Sequence, residues 1–162
     1  MSLWDVRASA WGQVLGEATS ETLGTISLDV IRGSLDFFLP SFEGVFAPET
    51  VEFVRSVLGS ARPSGVDEAE ADAVSTRMYA LTDADPAIGT ASLAAAVSLF
   101  YDCAARSFDV NSTLEIMSSC YEAVLHTEGL SQDVLESGTD SDNCSRFVDL
   151  QWAVVVRNIP AA

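Results

Sequence analysis

The sequence predicts an all-α protein, a single-domain bundle of six or seven helices that spans residues 1–162. Apolar residues recur mostly at intervals of three, four and seven, which places them on one face of a helix. Prolines and short polar turns separate these apolar segments, and no linker or internal repeat divides the chain. Hydrophobic residues make up 48% of the sequence, which is enough for a sizeable core.

The first two predicted helices lie before Pro40. Trp4, Trp11 and Leu15 share one face of the first helix. The second helix carries an apolar stripe over residues 28–38, and we expect it to end at Pro40, because the residue before a proline is driven out of the helical region. A loop that contains two phenylalanines follows.

The third and fourth predicted helices carry acidic residues in their first turns. Pro48 suits the first position of the third helix, whose buried stripe is Val51, Val54 and Leu58. A turn at residues 61–65 separates it from the fourth helix, residues 67–81. Acidic side chains in a first turn interact favourably with the helix dipole.

The remaining helices are predicted from caps and apolar stripes. Asp85 is the expected N-cap of the fifth and central helix, and Ser112 with Glu115 forms a capping-box pattern for the sixth. Residues 131–144 are polar and predict a surface loop, and the last helix is expected over residues 145–158 in preference to a short strand at 154–156. The predicted buried face of the central helix is Leu93, Val97, Phe100, Ala104 and Phe108.

Charge is the strongest global feature of the sequence. The formal net charge is −16, from 24 acidic and 8 basic residues, and every basic residue is an arginine. Such a surface repels nucleic acid and anionic membranes, whose affinity for proteins depends on cationic side chains. It attracts a basic protein partner. The absence of lysine and the wealth of Ala and Val are typical of a GC-rich bacterial genome.

Location is predicted from what the sequence lacks. No apolar stretch approaches the roughly 20 residues that a membrane helix needs, and the first residues do not resemble a secretory signal. Cys103, Cys120 and Cys144 are odd in number and show no paired spacing, so we expect free thiols rather than a disulfide framework. These observations predict a cytoplasmic protein.

Short motifs along the chain resemble those of a known family. A helix end at residues 35–42 (Leu-Asp-Phe-Phe-Leu-Pro-Ser-Phe), an Ala-rich helix at 91–105 and the closing Asp149-Leu150-Gln151-Trp152 occur in the same order in all-helical bacterial proteins of unknown function typified by YjaG. The resemblance covers roughly residues 28–158. It implies a helical fold and carries over no catalytic residue.

Catalytic and metal-binding patterns find little support in the sequence. His126 is the single histidine; it follows Glu122 by four positions, which does not match the Glu-x-x-His pairs of di-iron bundles. Cys120 lies six positions before His126 and on another helical face. A Gly-x-Ser-x-Gly elbow and a Gly-rich phosphate loop are both missing. We therefore assign neither catalytic residues nor a cofactor.

One enzymatic alternative remains open at this level, a magnesium-dependent nucleotide pyrophosphatase-like activity. Carboxylates on two neighbouring helices could hold a magnesium–phosphate complex. The acidic residues of the second helix lack the Glu-x-x-Asp spacing of the pyrophosphatase pattern. The chain has no lysine, so arginine would have to bind the phosphates. The metal ligands under this alternative are Glu49, Glu52, Glu68 and Asp72.

The favoured hypothesis is a non-catalytic module that binds a basic protein, in its sharpest form an immunity-type inhibitor of a cationic toxin. Dense carboxylates accelerate the encounter, and buried aromatic residues anchor the interface. A further alternative is a homo-oligomeric structural protein that buries the apolar faces of the fifth and last helices. The predicted partner-binding residues are Asp67, Glu68, Glu70, Asp72, Phe42, Phe46, Asp133, Glu136, Asp140 and Asp142.

Overall fold

The computed structural model describes residues 2–128 and 142–160, and these residues form nine α-helices and no strand. The all-α class is therefore confirmed, whereas the predicted number of six or seven helices is too low. In chain order the helices are α1 (Leu3–Ala8), α2 (Trp11–Leu15), α3 (Ser20–Ser34), α4 (Phe42–Val45), α5 (Pro48–Ser60), α6 (Glu68–Ala84), α7 (Thr90–Ala105), α8 (Val110–Thr127) and α9 (Asp142–Asn158).

Short helices account for the difference in number. The predicted first helix is broken into α1 and α2, and α1 begins with a capping box formed by Ser2 and Asp5. The predicted loop after Pro40 contains α4, where the Ser41 side chain accepts a hydrogen bond from the Gly44 N–H. Helices of four to six residues hold too few apolar positions for their periodicity to be recognised.

Two predicted helix boundaries are wrong, the end of the second predicted helix and the start of the sixth. Helix α3 begins at Ser20 behind the N-cap Thr19 and ends at Ser34, before Pro40 could end it. Helix α8 begins at Val110, since Asp109 is the N-cap and forms a capping box with Ser112. Ser112 is thus the third residue of that helix and not its cap.

Asp85 does not cap α7, whose N-cap is Gly89. Its carboxylate instead accepts hydrogen bonds from the Ala47 N–H at 2.9 Å, the Thr50 hydroxyl at 2.7 Å and the Ala87 N–H at 3.0 Å. Ala47 is the N-cap residue of α5. Asp85 therefore ties the end of α6 to the start of α5, which satisfies donors that the first turn of a helix leaves unpaired.

Helix α7 lies at the centre of the molecule. It packs between α6 and α8, and α3 packs against both α7 and α8. Helix α9 covers α3 and α8, and the residues 154–156 are helical, as expected. Four residues of the predicted face of α7, Leu93, Val97, Phe100 and Ala104, are buried in one continuous hydrophobic cluster, as predicted. Phe108 is buried in the same cluster but lies beyond the end of α7 at Ala105, so its predicted place on this helix is wrong.

A buried amide connects the N-terminal helices to the core. The Trp4 indole N–H donates to Gln151 Oε1 at 2.7 Å, and the Gln151 amide donates to the Met117 carbonyl at 3.0 Å. Trp11 stacks on Trp152, with ring centroids 5.7 Å apart. Because Gln151 is fully buried, these two bonds satisfy an amide that would otherwise be costly to bury.

Within the described part of the chain, no helix combines the length and apolar character that crossing a bilayer requires.

Candidate functional site

A groove runs along the solvent side of α7, between α6 and α8. The apolar stripe of α7 faces the core, so the opposite side, with Ala91 and Ala95 exposed, carries small residues. Small side chains between two flanking helices leave a groove of about 410 Å³. It is lined by Asp72, Ser75 and Tyr79 of α6, Ala95, Ser98, Leu99 and Asp102 of α7, and Glu115 and Ser119 of α8.

The groove is acidic. Asp72, Asp102 and Glu115 are exposed carboxylates on three different helices, and none of the lining residues is basic. Elsewhere in the described ranges, arginine side chains pair with carboxylates outside the groove. These pairs are Arg7–Asp149, Arg55–Glu43, Arg62–Glu70, Arg106–Glu68 and Arg157–Asp29. None of the three groove carboxylates forms an ion pair with a described arginine, so the groove keeps a local negative charge.

Ser98 lies in this groove and is 4% exposed. Its Oγ is buried and finds no hydrogen-bond partner among the described residues. Serines in helices commonly bond to the carbonyl one turn earlier, as Ser27 does with the Leu23 carbonyl at 2.9 Å. A buried hydroxyl without a partner carries a desolvation cost, and such groups call for an explanation in a folded protein.

The predicted acidic run at the start of α6 is largely used within the fold. Asp67 is the N-cap of α6 and accepts the Glu70 N–H at 2.9 Å. Glu68 pairs with Arg106 at 3.6 Å, and Glu70 pairs with Arg62 at 3.3 Å. Of the four residues, Asp72 alone lines the groove.

Phe42 and Phe46 are core residues, with exposures of 2% and 3%. They form an aromatic cluster with Phe38: the ring centroid of Phe42 lies 5.8 Å from that of Phe38, and the centroid of Phe46 lies 4.9 Å from it. The Arg55 guanidinium lies over the Phe42 ring, 5.2 Å from its centroid. In this conformation neither phenylalanine reaches the surface, so the expectation that they anchor a partner does not fit the fold.

The remaining predicted contacts lie in or beside the polar stretch. Asp133, Glu136 and Asp140 fall outside the described residues. Asp142 is exposed and stands in the first turn of α9.

The alternative magnesium site does not assemble. Glu49 and Glu52 line a separate groove with Arg77, whereas Glu68 pairs with Arg106 and Asp72 lies in the α7 groove. Across the described ranges, no three side chains of His, Cys, Asp or Glu are close enough to share a metal ion. The prediction that Glu49, Glu52, Glu68 and Asp72 form one metal site is therefore wrong for this fold.

The thiols are poorly suited to nucleophilic chemistry. Cys103, Cys120 and Cys144 are all free and buried. Burial raises the pKa of Cys120 strongly and that of Cys103 to a smaller extent, so both remain protonated at neutral pH. The Cys144 thiol donates to Glu128 Oε1 at 3.3 Å.

Three residues of the groove, Asp102, Glu115 and Ser98, are not among the partner-binding residues predicted from the sequence. A signal for two of them was present, since Ala91, Ala95, Ser98 and Asp102 follow one another at intervals of four, three and four. This spacing defines a helical stripe opposite the apolar one. Glu115 carries no comparable signal, because its place beside α7 depends on how α8 packs.

Comparison with models of known protein families, with curated proteins and with solved structures finds no match to this chain. The resemblance to the YjaG-like family stays a prediction.

Proposed function

We propose that this protein is a non-catalytic module that binds a basic protein, with the α7 groove as its contact surface. The observation that carries the proposal is the set of three unpaired carboxylates in a concave surface without a basic neighbour. The net charge of −16 supports it, because the long-range field attracts a cationic partner and repels polyanions.

The groove adds a specific surface to this general attraction. Charge steers an encounter and raises the association rate, but a specific complex also needs a shaped contact region. A groove between three helices is held by packing on the core, so it is formed before a partner arrives. Preorganisation of this kind lowers the entropic cost of binding.

An immunity-type inhibitor is the form of this proposal with the most definite consequence, since a small acidic protein can cover the cationic active surface of a toxin. We also propose that the protein is a single helical domain and that it is located in the cytoplasm. The homo-oligomer alternative finds less support, because α6, α8 and α3 already pack against α7.

Affinity capture from a lysate of the native cell tests the proposal. The tagged protein is the bait at about 50 mM salt, where exposed charges are weakly screened, and elution follows at about 500 mM. We expect one basic protein that elutes with salt and is retained in the presence of a chelator. The captured protein is then purified, its affinity is measured, and its own activity is assayed with and without the bait.

Two results would contradict the proposal. The first is that no basic protein is captured at low salt. The second is that a captured protein binds with an affinity that does not change with salt or is lost with chelator. Loss of the partner's activity in the complex would identify the protein as an inhibitor.

A further inference from the structure

We propose that the α7 groove binds an arginine side chain of the basic partner, with Asp72, Asp102 and Glu115 as the charged contacts and Tyr79 as a stacking surface. The inference rests on the proposed function and deepens it, because it names the chemical group that the groove recognises.

The placement of the carboxylates on three different helices favours an extended organic cation over a bare metal ion. Asp72, Asp102 and Glu115 project from three helices into one groove, yet they do not form a metal-binding group. A guanidinium presents five N–H donors in a planar fork and can reach acceptors that are farther apart than metal ligands. The volume of about 410 Å³ lies within the range of pockets that hold small ligands.

The uncharged lining residues favour arginine over lysine. Tyr79 is 59% exposed, so its ring is free to stack on a planar cation. Ser75, Ser98 and Ser119 supply hydroxyls in the same groove. The Ser98 Oγ is buried and has no described partner, and it is the acceptor that the proposal assigns to one N–H of the guanidinium. A lysine ammonium is a compact charge that gains little from a stacking surface.

The test is a titration of the full chain, labelled with ¹⁵N, with a blocked Gly-Arg-Gly-Arg-Gly peptide and with its lysine counterpart. We expect amide shifts concentrated at Ala95, Ser98, Asp102 and Ser119. The arginine peptide should bind about two- to fivefold more tightly than the lysine peptide, the range that a cation–π contact at an exposed site provides. Tyr79→Leu should remove this preference.

A matched pair of variants separates the groove from general charge. Replacing Asp72, Asp102 and Glu115 by Asn, Asn and Gln should weaken the arginine peptide about tenfold, because three exposed charge contacts are lost. The control replaces the exposed Glu17, Glu21 and Asp36 by Gln, Gln and Asn, which changes the net charge equally. It should weaken binding less than about twofold, since distant exposed charges are screened.

Ser98→Ala supplies an independent readout. If the hydroxyl contacts the guanidinium, this variant binds the arginine peptide more weakly while its fold is intact. Shifts spread evenly over all acidic surfaces, equal weakening by the two triple variants, or an unchanged affinity of Ser98→Ala would each overturn the inference. If the groove triple variant captures the basic partner as well as the wild-type protein does, the groove is not the contact surface; the inference is then overturned, and of the proposed function only the binding of a basic protein stands.

Discussion

Asp85 is a buried carboxylate whose removal should have a large and calculable effect on stability. It is 7% exposed and accepts three hydrogen bonds, from the Ala47 and Ala87 N–H groups and the Thr50 hydroxyl. In Asp85→Ala all three donors lose their acceptor. Thr50 is fully buried and cannot turn to water. Each unsatisfied buried donor costs about 1–3 kcal/mol, less where water reaches it.

We therefore expect Asp85→Ala to lower the free energy of unfolding by about 3–5 kcal/mol. Most of this loss comes from the Thr50 hydroxyl and one backbone N–H, which are left without an acceptor. In a protein of this size 1 kcal/mol corresponds to about 2–4 °C in Tm. Asp85→Asn keeps one carbonyl acceptor, so its loss should be about half as large.

Urea unfolding followed by circular dichroism measures these differences. The matched control is Asp83→Ala, because Asp83 is exposed in the last turn of α6, two residues before Asp85, and its effect should stay within about 0.5 kcal/mol. If the free energy of unfolding of Asp85→Ala lies within about 1 kcal/mol of the wild-type value, the three hydrogen bonds do not hold α5 to the end of α6.

Three further predictions concern the groove, the packing of glycines and the effect of pH. Ser98→Ala removes a buried hydroxyl without a described partner and should raise stability by about 1 kcal/mol, as measured by urea unfolding; a loss of stability would show that the hydroxyl is satisfied. A Cβ at Gly24 would lie 2.8 Å from Phe108, so Gly24→Ala should lower the free energy of unfolding by about 1–3 kcal/mol. A Cβ at Gly59 in α5 would meet open space, so Gly59→Ala should raise it by about 0.5–1 kcal/mol. Thermal unfolding of the two variants tests this contrast. Burial raises the pKa of Cys120 in the fold, so the unfolded chain loses this proton first, and the contribution of Cys120 to stability should be constant below about pH 8 and fall at higher pH. Cys120→Ala should therefore show a smaller loss of stability between about pH 7 and pH 10 in urea unfolding.

Much of the fold could be predicted because long helices bury long apolar stripes. Leu93, Val97 and Phe100 recur at helical intervals over about two turns, and this pattern marks α7 as central without any tertiary information. The short helices α1, α2 and α4 could not be predicted in this way. Their residues are held by caps and by contacts with distant parts of the chain, such as the bond from Trp4 to Gln151.

The sequence predicts the negative charge of the candidate site but not its position in the fold. An excess of carboxylates indicates an acidic surface wherever the chain folds. Which of them stay unpaired depends on where the eight arginines come to lie: Glu68 pairs with Arg106, and Glu70 pairs with Arg62. Phe42 and Phe46 were placed in a loop by their flanking prolines, and only the packing on Phe38 shows that they are core.

By itself the sequence determined the helical class, the buried face of α7 and the acidic character of the surface, because these follow from composition and from the 3.6-residue period of the helix. The tertiary structure decided that small residues of α7 lie between α6 and α8 and that Asp72, Asp102 and Glu115 share one groove. The physical reason is that periodicity describes one helix at a time, whereas a groove exists only between helices packed side by side.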